Sequence, residues 1–86
     1  MMIPAMRLTI LYFAHLPERT GTREEVCELP DGAGVPALVA RLEAAHPALK
    51  GALSACRVAV NEEFAGLDAP LADGNTVAFI PPVSGG

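Results

Sequence analysis

Thr76-Val77-Ala78-Phe79-Ile80-Pro81-Pro82-Val83-Ser84-Gly85-Gly86 closes the sequence. Residues 76–80 are apolar and β-prone, and they predict a final strand. Pro81-Pro82 stops it, because proline has no N–H to give to a ladder. The same two rings hold the backbone beyond them extended. Val83 and Ser84 follow, then two residues with no side chain. At about 3.3 Å per residue, the stretch from Pro81 to Gly86 can reach roughly 20 Å. Bare glycines pass between walls that would clash with a Cβ, and they leave the terminal carbonyl open to attack. Two glycines end a chain by chance about 0.5% of the time. After a firm strand and a Pro-Pro exit, they read as an arm rather than a frayed end. Such an arm suits delivery of the Gly86 carboxylate into a narrow channel of another protein. A carboxylate is a poor electrophile and needs activation, for instance as an acyl-adenylate. Sulfur can then replace one oxygen to give a thiocarboxylate, a good nucleophile. No residue pattern elsewhere in the chain supplies these steps, so partners must.

Outward from this segment, the rest of the chain supplies a scaffold. Arg7-Leu8-Thr9-Ile10-Leu11-Tyr12-Phe13 predicts a first strand. Leu8, Ile10 and Tyr12 share one of its faces; Thr9, Leu11 and Phe13 share the other. Pro17 and Gly21 punctuate a loop, and residues 23–29 predict a second, more polar strand. Pro30-Asp31-Gly32-Ala33-Gly34 is a turn cluster. Pro36 suits the first turn of a helix, where its missing N–H costs nothing. Leu38, Val39, Leu42, Ala45 and Leu49 follow at helical spacing, with Arg41 and Glu43 facing away. Pro47 is expected to end the helix near His46. A third strand over residues 56–61 places Val58 and Val60 on one face. Asn61-Glu62-Glu63 turns into a short segment around Phe64, and Leu71-Ala72-Asp73-Gly74-Asn75 turns into the last strand. The pattern is α+β, one sheet with one helix across a face. Residues 1–5 read as a loose N-terminal extension, residues 6–80 as the domain, and residues 81–86 as a flexible functional tail.

Composition narrows the function classes. The chain has 86 residues, 51% of them hydrophobic, and a net charge of −4. That richness argues against disorder, and the absent basic footprint argues against nucleic acid. No stretch approaches the ~20 apolar residues that span a bilayer, so no membrane is expected. Two cysteines, Cys27 and Cys56, form no C-x-x-C pair. They read as small buried hydrophobes in a reduced, cytoplasmic protein. His15 and His46 lack nearby ligands at metal spacing, so no metal is expected. Glu24, Glu25 and Glu28 alternate along the second strand and read as a solvated face. No Gly-x-Ser-x-Gly elbow or phosphate-cradling glycine loop occurs. Catalysis within the domain is not expected.

Residues 77–86 resemble the C-terminal signature of the small subunits of molybdopterin synthase, the MoaD type. Leu11-Tyr12-Phe13-Ala14, Val58-Ala59-Val60-Asn61 and Pro70-Leu71-Ala72-Asp73-Gly74 agree with the same family. The resemblance covers residues 6–86 and implies a β-grasp, ubiquitin-like fold. It implies that an ATP-dependent, E1-like activating enzyme adenylates Gly86, which then becomes a thiocarboxylate. ATP would be used by that partner, with no cofactor bound by the carrier itself. The tail would enter a large catalytic subunit and give sulfur to a cyclic pyranopterin precursor of molybdopterin. Two sulfurs per product fit the family's heterotetramer of two small and two large subunits. The family often carries a basic residue shortly after the Phe-Ala pair; here that place falls near Pro17, with Arg19 the nearest substitute.

One helix can cover only one face of the sheet. With Leu8, Ile10, Tyr12, Val77 and Phe79 beneath it, Leu11, Phe13, Ala78 and Ile80 point outward at the root of the tail. Exposed apolar residues gathered there predict a partner interface. The opposite register would make them ordinary core. Other readings stay open at this point: a related carrier for cysteine, thiamine or tRNA thiolation, a ubiquitin-like modifier of lysines, or a plain interaction domain.

Overall fold

The computed structural model describes residues 4–82; Val83, Ser84, Gly85 and Gly86 of the expected tail lie outside the described residues. Five strands form one sheet: β1 (Ala5–Tyr12), β2 (Glu24–Pro30), β3 (Arg57–Val60), β4 (Glu63–Ala65) and β5 (Thr76–Ile80). Their spatial order is β2-β1-β5-β3-β4. β1 and β5 run parallel at the centre, and every other pairing is antiparallel. The main helix, α2 (Val35–Ala45), packs across one face. This is the β-grasp arrangement that the resemblance implies.

Alternation along the strands decides the faces. Leu8, Ile10, Val77 and Phe79 are fully buried beneath α2, and Tyr12 nearly so. Val35, Leu38 and Leu42 of α2 meet them, with Leu16, Leu49 and Leu53 closing the ends. Each such side chain contributes about 1.5–3 kcal/mol when fully buried. Among the described residues no polar or charged side chain is buried. The core is therefore purely apolar, as so small a domain requires.

Several local expectations change. The loop at Pro17 holds a short helix, α1 (Leu16–Thr20). Pro17 lies in its first turn, and Gly21 at φ 81° caps its end by donating its N–H to the Pro17 carbonyl at 2.8 Å. The two punctuating residues are thus its start and stop signals, and buried Leu16 anchors it. Ala45 is exposed, and Leu49 reaches the core from a 3₁₀ turn (Pro47–Leu49) rather than from α2. β1 begins at Ala5, and the Pro4 carbonyl accepts the Asp31 N–H at 3.0 Å, so pairing starts before the expected boundary at residue 6.

Glu25 does not belong to a solvated face. β2 pairs Glu25 with Ile10, which turns its side chain toward α2. There its carboxylate accepts the Tyr12 hydroxyl at 2.5 Å and lies 2.7 Å from His46 Nε2. His46 caps α2, so this cluster ties β1, β2 and the helix end together. Burial, then the Glu25 carboxylate, pushes the Tyr12 phenol well above its ordinary value near 10. A raised folded pKa gives stability that is whole below the unfolded value and lost as pH rises past it. Tyr12 is the sole tyrosine, so tyrosinate absorbance reports this one group. Stability is expected to fall above about pH 10, with tyrosinate appearing only on unfolding. Tyr12→Phe should flatten that part of the pH dependence.

The β3–β4 hairpin turns on Asn61 and Glu62, both left-handed at φ 50° and 71°. Asn61 suits this conformation. It also exchanges two bonds with Thr76, its N–H donating to the Thr76 carbonyl and its Oδ1 accepting the Thr76 N–H, each at 2.8 Å. Glu62 has no such compensation. Glu62→Gly is expected to add about 0.5–1 kcal/mol, read as a melting point a few degrees higher, and Glu62→Val to lower it.

Candidate functional site

The face of the sheet opposite α2 is where the expected interface residues meet. Strand register sets one row across it: Glu24 opposite Leu11, Leu11 opposite Ala78, Ala78 opposite Ala59, and Ala59 opposite Phe64. A second row lies nearer the tail, where Phe13 follows β1 and Ile80 stands opposite Arg57. Two alanines at the middle of the first row leave the centre low, while larger side chains stand on either side. The result is a groove of about 230 Å³, floored by Ala59 and Ala78 and walled by Leu11, Phe13, Ile80 and Phe64. Thr76 and Glu62 close its far end.

All four expected residues thus line one groove, in the register that leaves them outside the core. Ala78 departs from expectation in one respect. It is only 9% exposed, because its methyl sits between β1 and β3 and below taller neighbours. It shapes the groove more than it offers area. Leu11 and Ile80 are half-buried, and Phe13 is 46% exposed. The sequence reading missed Phe64, which is 62% exposed and forms the outer wall. The available signal was the two-residue turn at Asn61-Glu62, which pairs Val60 with Glu63 and so sets Phe64 opposite Ala59. A wider hollow of about 430 Å³ around Pro17 and Arg23 adjoins the groove through Leu11 and Phe13.

The tail leaves from this end. Ile80 is the last ladder residue of β5; Pro81 is buried and Pro82 exposed. The first residue assigned to the flexible tail is therefore packed against the domain, and Pro82 is the first exposed one. Phe13 N–H donates to the Phe79 carbonyl at 3.3 Å, which extends the β1–β5 ladder to the tail's root.

Chemistry of the usual kind is absent from this face. Among the described residues no group of His, Cys, Asp and Glu could hold a metal ion. Burial pushes the Cys27 and Cys56 thiols up, away from the thiolate form a nucleophile needs. His15 is exposed at the start of α1, and His46 is committed to Glu25 behind the sheet. Arg19, the nearest substitute for the family's basic residue, donates to the Ala48 carbonyl at 3.0 Å. No described helix is long and apolar enough to cross a membrane. Among the described residues, Glu62 is the one carboxylate bordering the groove. Among the described residues this face holds no paired groups to move a proton or activate a nucleophile.

Comparison with known proteins agrees with this geometry. A family model described as the ThiS family matches residues 10–86. The molybdopterin synthase sulfur carrier subunit of Chlamydomonas reinhardtii is 43% identical, over 94% of this chain and 100% of the relative. The human protein of the same name is 34% identical, over 99% and 100%. Among solved structures, the small archaeal modifier protein SAMP1 from Haloferax volcanii superposes with a TM-score of 0.84 at 32% identity, covering 93% of this chain and 99% of that one. A protein–protein complex of subunits 1 and 2 of the molybdopterin-converting factor from Helicobacter pylori matches at TM-score 0.68 and 26% identity, covering 94% and 100%. Ubiquitin from Caldiarchaeum subterraneum, at 18% identity and TM-score 0.63 over 96% and 100%, shares the fold. By its sequence over nearly its whole length, and by its ubiquitin-like fold, the chain belongs to the ThiS/MoaD family.

Proposed function

We propose that this chain is the sulfur carrier subunit of a molybdopterin synthase, with the Gly86 carboxylate as its working group. The observation that carries the reading is the exit of β5 into Pro81-Pro82 directly beside an exposed apolar groove. The names of the relatives and the complex of subunits 1 and 2 support it. In this reading an E1-like enzyme brings ATP to the tail. The Gly86 carboxylate attacks the α-phosphate, pyrophosphate leaves, and an acyl-adenylate forms. A sulfur nucleophile then displaces AMP to give the thiocarboxylate. Within the large catalytic subunit that sulfur passes to the pyranopterin precursor, and two such deliveries complete the dithiolene in a heterotetramer. The domain contributes no catalytic group. It supplies a handle, the groove walled by Leu11, Phe13, Ile80 and Phe64, and a narrow arm, Val83-Ser84-Gly85-Gly86. The two free cysteines suit a cytoplasmic setting.

A second reading, a modifier joined to lysines, gains from the resemblance to a small archaeal modifier protein. It needs the same activation but a different acceptor. High-mass conjugates on denaturing gels of cell extract would favour it over the carrier.

Removing Gly86 is expected to abolish sulfur transfer with purified activating enzyme and large subunit, while circular dichroism and the melting point stay as in the full chain. Transfer by the shortened protein would refute the reading. Phe13→Ala should weaken binding to the large subunit about tenfold, the usual cost of truncating an aromatic anchor. Titration calorimetry measures this, and thermal melting should move by only a few degrees.

A further inference from the structure

Arg57 sits where the groove, β4 and the root of the tail meet. It opens β3 and stands cross-strand from Ile80, the last residue of β5. Its guanidinium lies 4.1 Å from the centre of the Phe64 ring. A cation over a ring face is attracted to it even at an exposed site. Among the described residues, Arg19 and Arg41 give their guanidinium N–H groups to the Ala48 and Glu28 carbonyls. Arg57, among those same residues, makes no ion pair and donates no side-chain hydrogen bond. It is thus a cation held over an aromatic ring, with its fork of donors unused among the described residues. The domain around it has a net charge of −4, so a partner's acidic group meets repulsion over most of the surface. At Arg57 it meets attraction, beside the wall of the groove and the start of the arm.

We propose that the Arg57–Phe64 stack recognises a carboxylate of the large catalytic subunit, placed at the rim of the channel that takes the tail. The guanidinium edge pairs with that carboxylate through two parallel N–H bonds while Phe64 is covered. Stacking against Phe64 orders the side chain before binding, so less freedom is lost on docking. Pairing at this point also sets the direction from which the tail enters. The inference rests on the reading that this face docks on the large subunit.

The test measures binding of full-length wild type, Arg57→Ala, Arg57→Lys, Arg57→Glu and Phe13→Ala to the purified large subunit at low and high salt. Arg57→Ala is expected to weaken binding about tenfold and to reduce its salt sensitivity, since a charge pair has been removed. Arg57→Glu should be about tenfold worse again at low salt, through like-charge repulsion. Arg57→Lys should not restore affinity, because an ammonium neither stacks flat nor pairs through two bonds. Phe13→Ala should lose affinity with an unchanged salt slope. If the stack only braces the β3–β4 hairpin, Arg57→Ala will melt earlier yet bind with the wild-type salt slope, and the proposal fails. Wild-type affinity in Arg57→Glu also overturns it, while the docking reading stands. Absence of binding by the wild type overturns both.

Discussion

β1 and β5 lie side by side and parallel, although most of the chain separates them. Parallel neighbours cannot be joined by a tight turn, so the intervening chain must cross over the sheet. It does so as α2, which covers one face and leaves the other bare. The register, with Ile10 opposite Val77 and Leu11 opposite Ala78, then assigns every side chain of the centre. A slip of β5 by one residue against β1 would put Ala78 and Ile80 on the core side and turn Val77 and Phe79 out to water. The bond from Thr9 N–H to the Asn75 carbonyl at one end, and from Phe13 N–H to the Phe79 carbonyl at the other, lengthen the same ladder. Core, groove and tail exit all depend on it.

A domain of this size has little surplus stability, and its apolar residues are distributed accordingly. The α2 side takes the large aliphatic side chains and Phe79, with no buried polar group among the described residues. Polar ties are kept to the margins, at Tyr12–Glu25–His46 and at Asn61–Thr76. Against that economy, Phe13 and Phe64 remain exposed beside a groove floored by Ala59 and Ala78. Burying either ring under α2 would add stability.

The same geometry gives the described residues a groove without paired titratable groups, thiols held in the neutral form by burial, and a central strand that runs out into prolines. Rigidity at the arm's base matters here. Packed Pro81 and the β1–β5 ladder fix where the chain leaves the sheet.

Much of this was legible in the residues alone. Period-2 alternation in Leu8–Phe13 and Val77–Ile80 separates the core face from the outer face, because a strand has only two sides. Pro36 and the spacing of Leu38 and Leu42 define the helix, and Pro81-Pro82 marks the strand's end through the missing N–H. The Gly-Gly ending, in its strand and Pro-Pro context, named the tail as the candidate working part. Other features depended on contacts between segments distant in sequence. The parallel pairing of β1 with β5 is one, since strand order does not follow from alternation. The role of Glu25 is another: its charge suggested solvent, and only α2 arriving overhead with His46 turned it into a tie. Phe64 became the outer wall of the groove, with Arg57 over its ring, only once the Asn61-Glu62 turn folded β4 back on β3. Local sequence determines which way a side chain points from its own strand; which neighbour it then meets is decided by how the strands are ordered and what crosses above them.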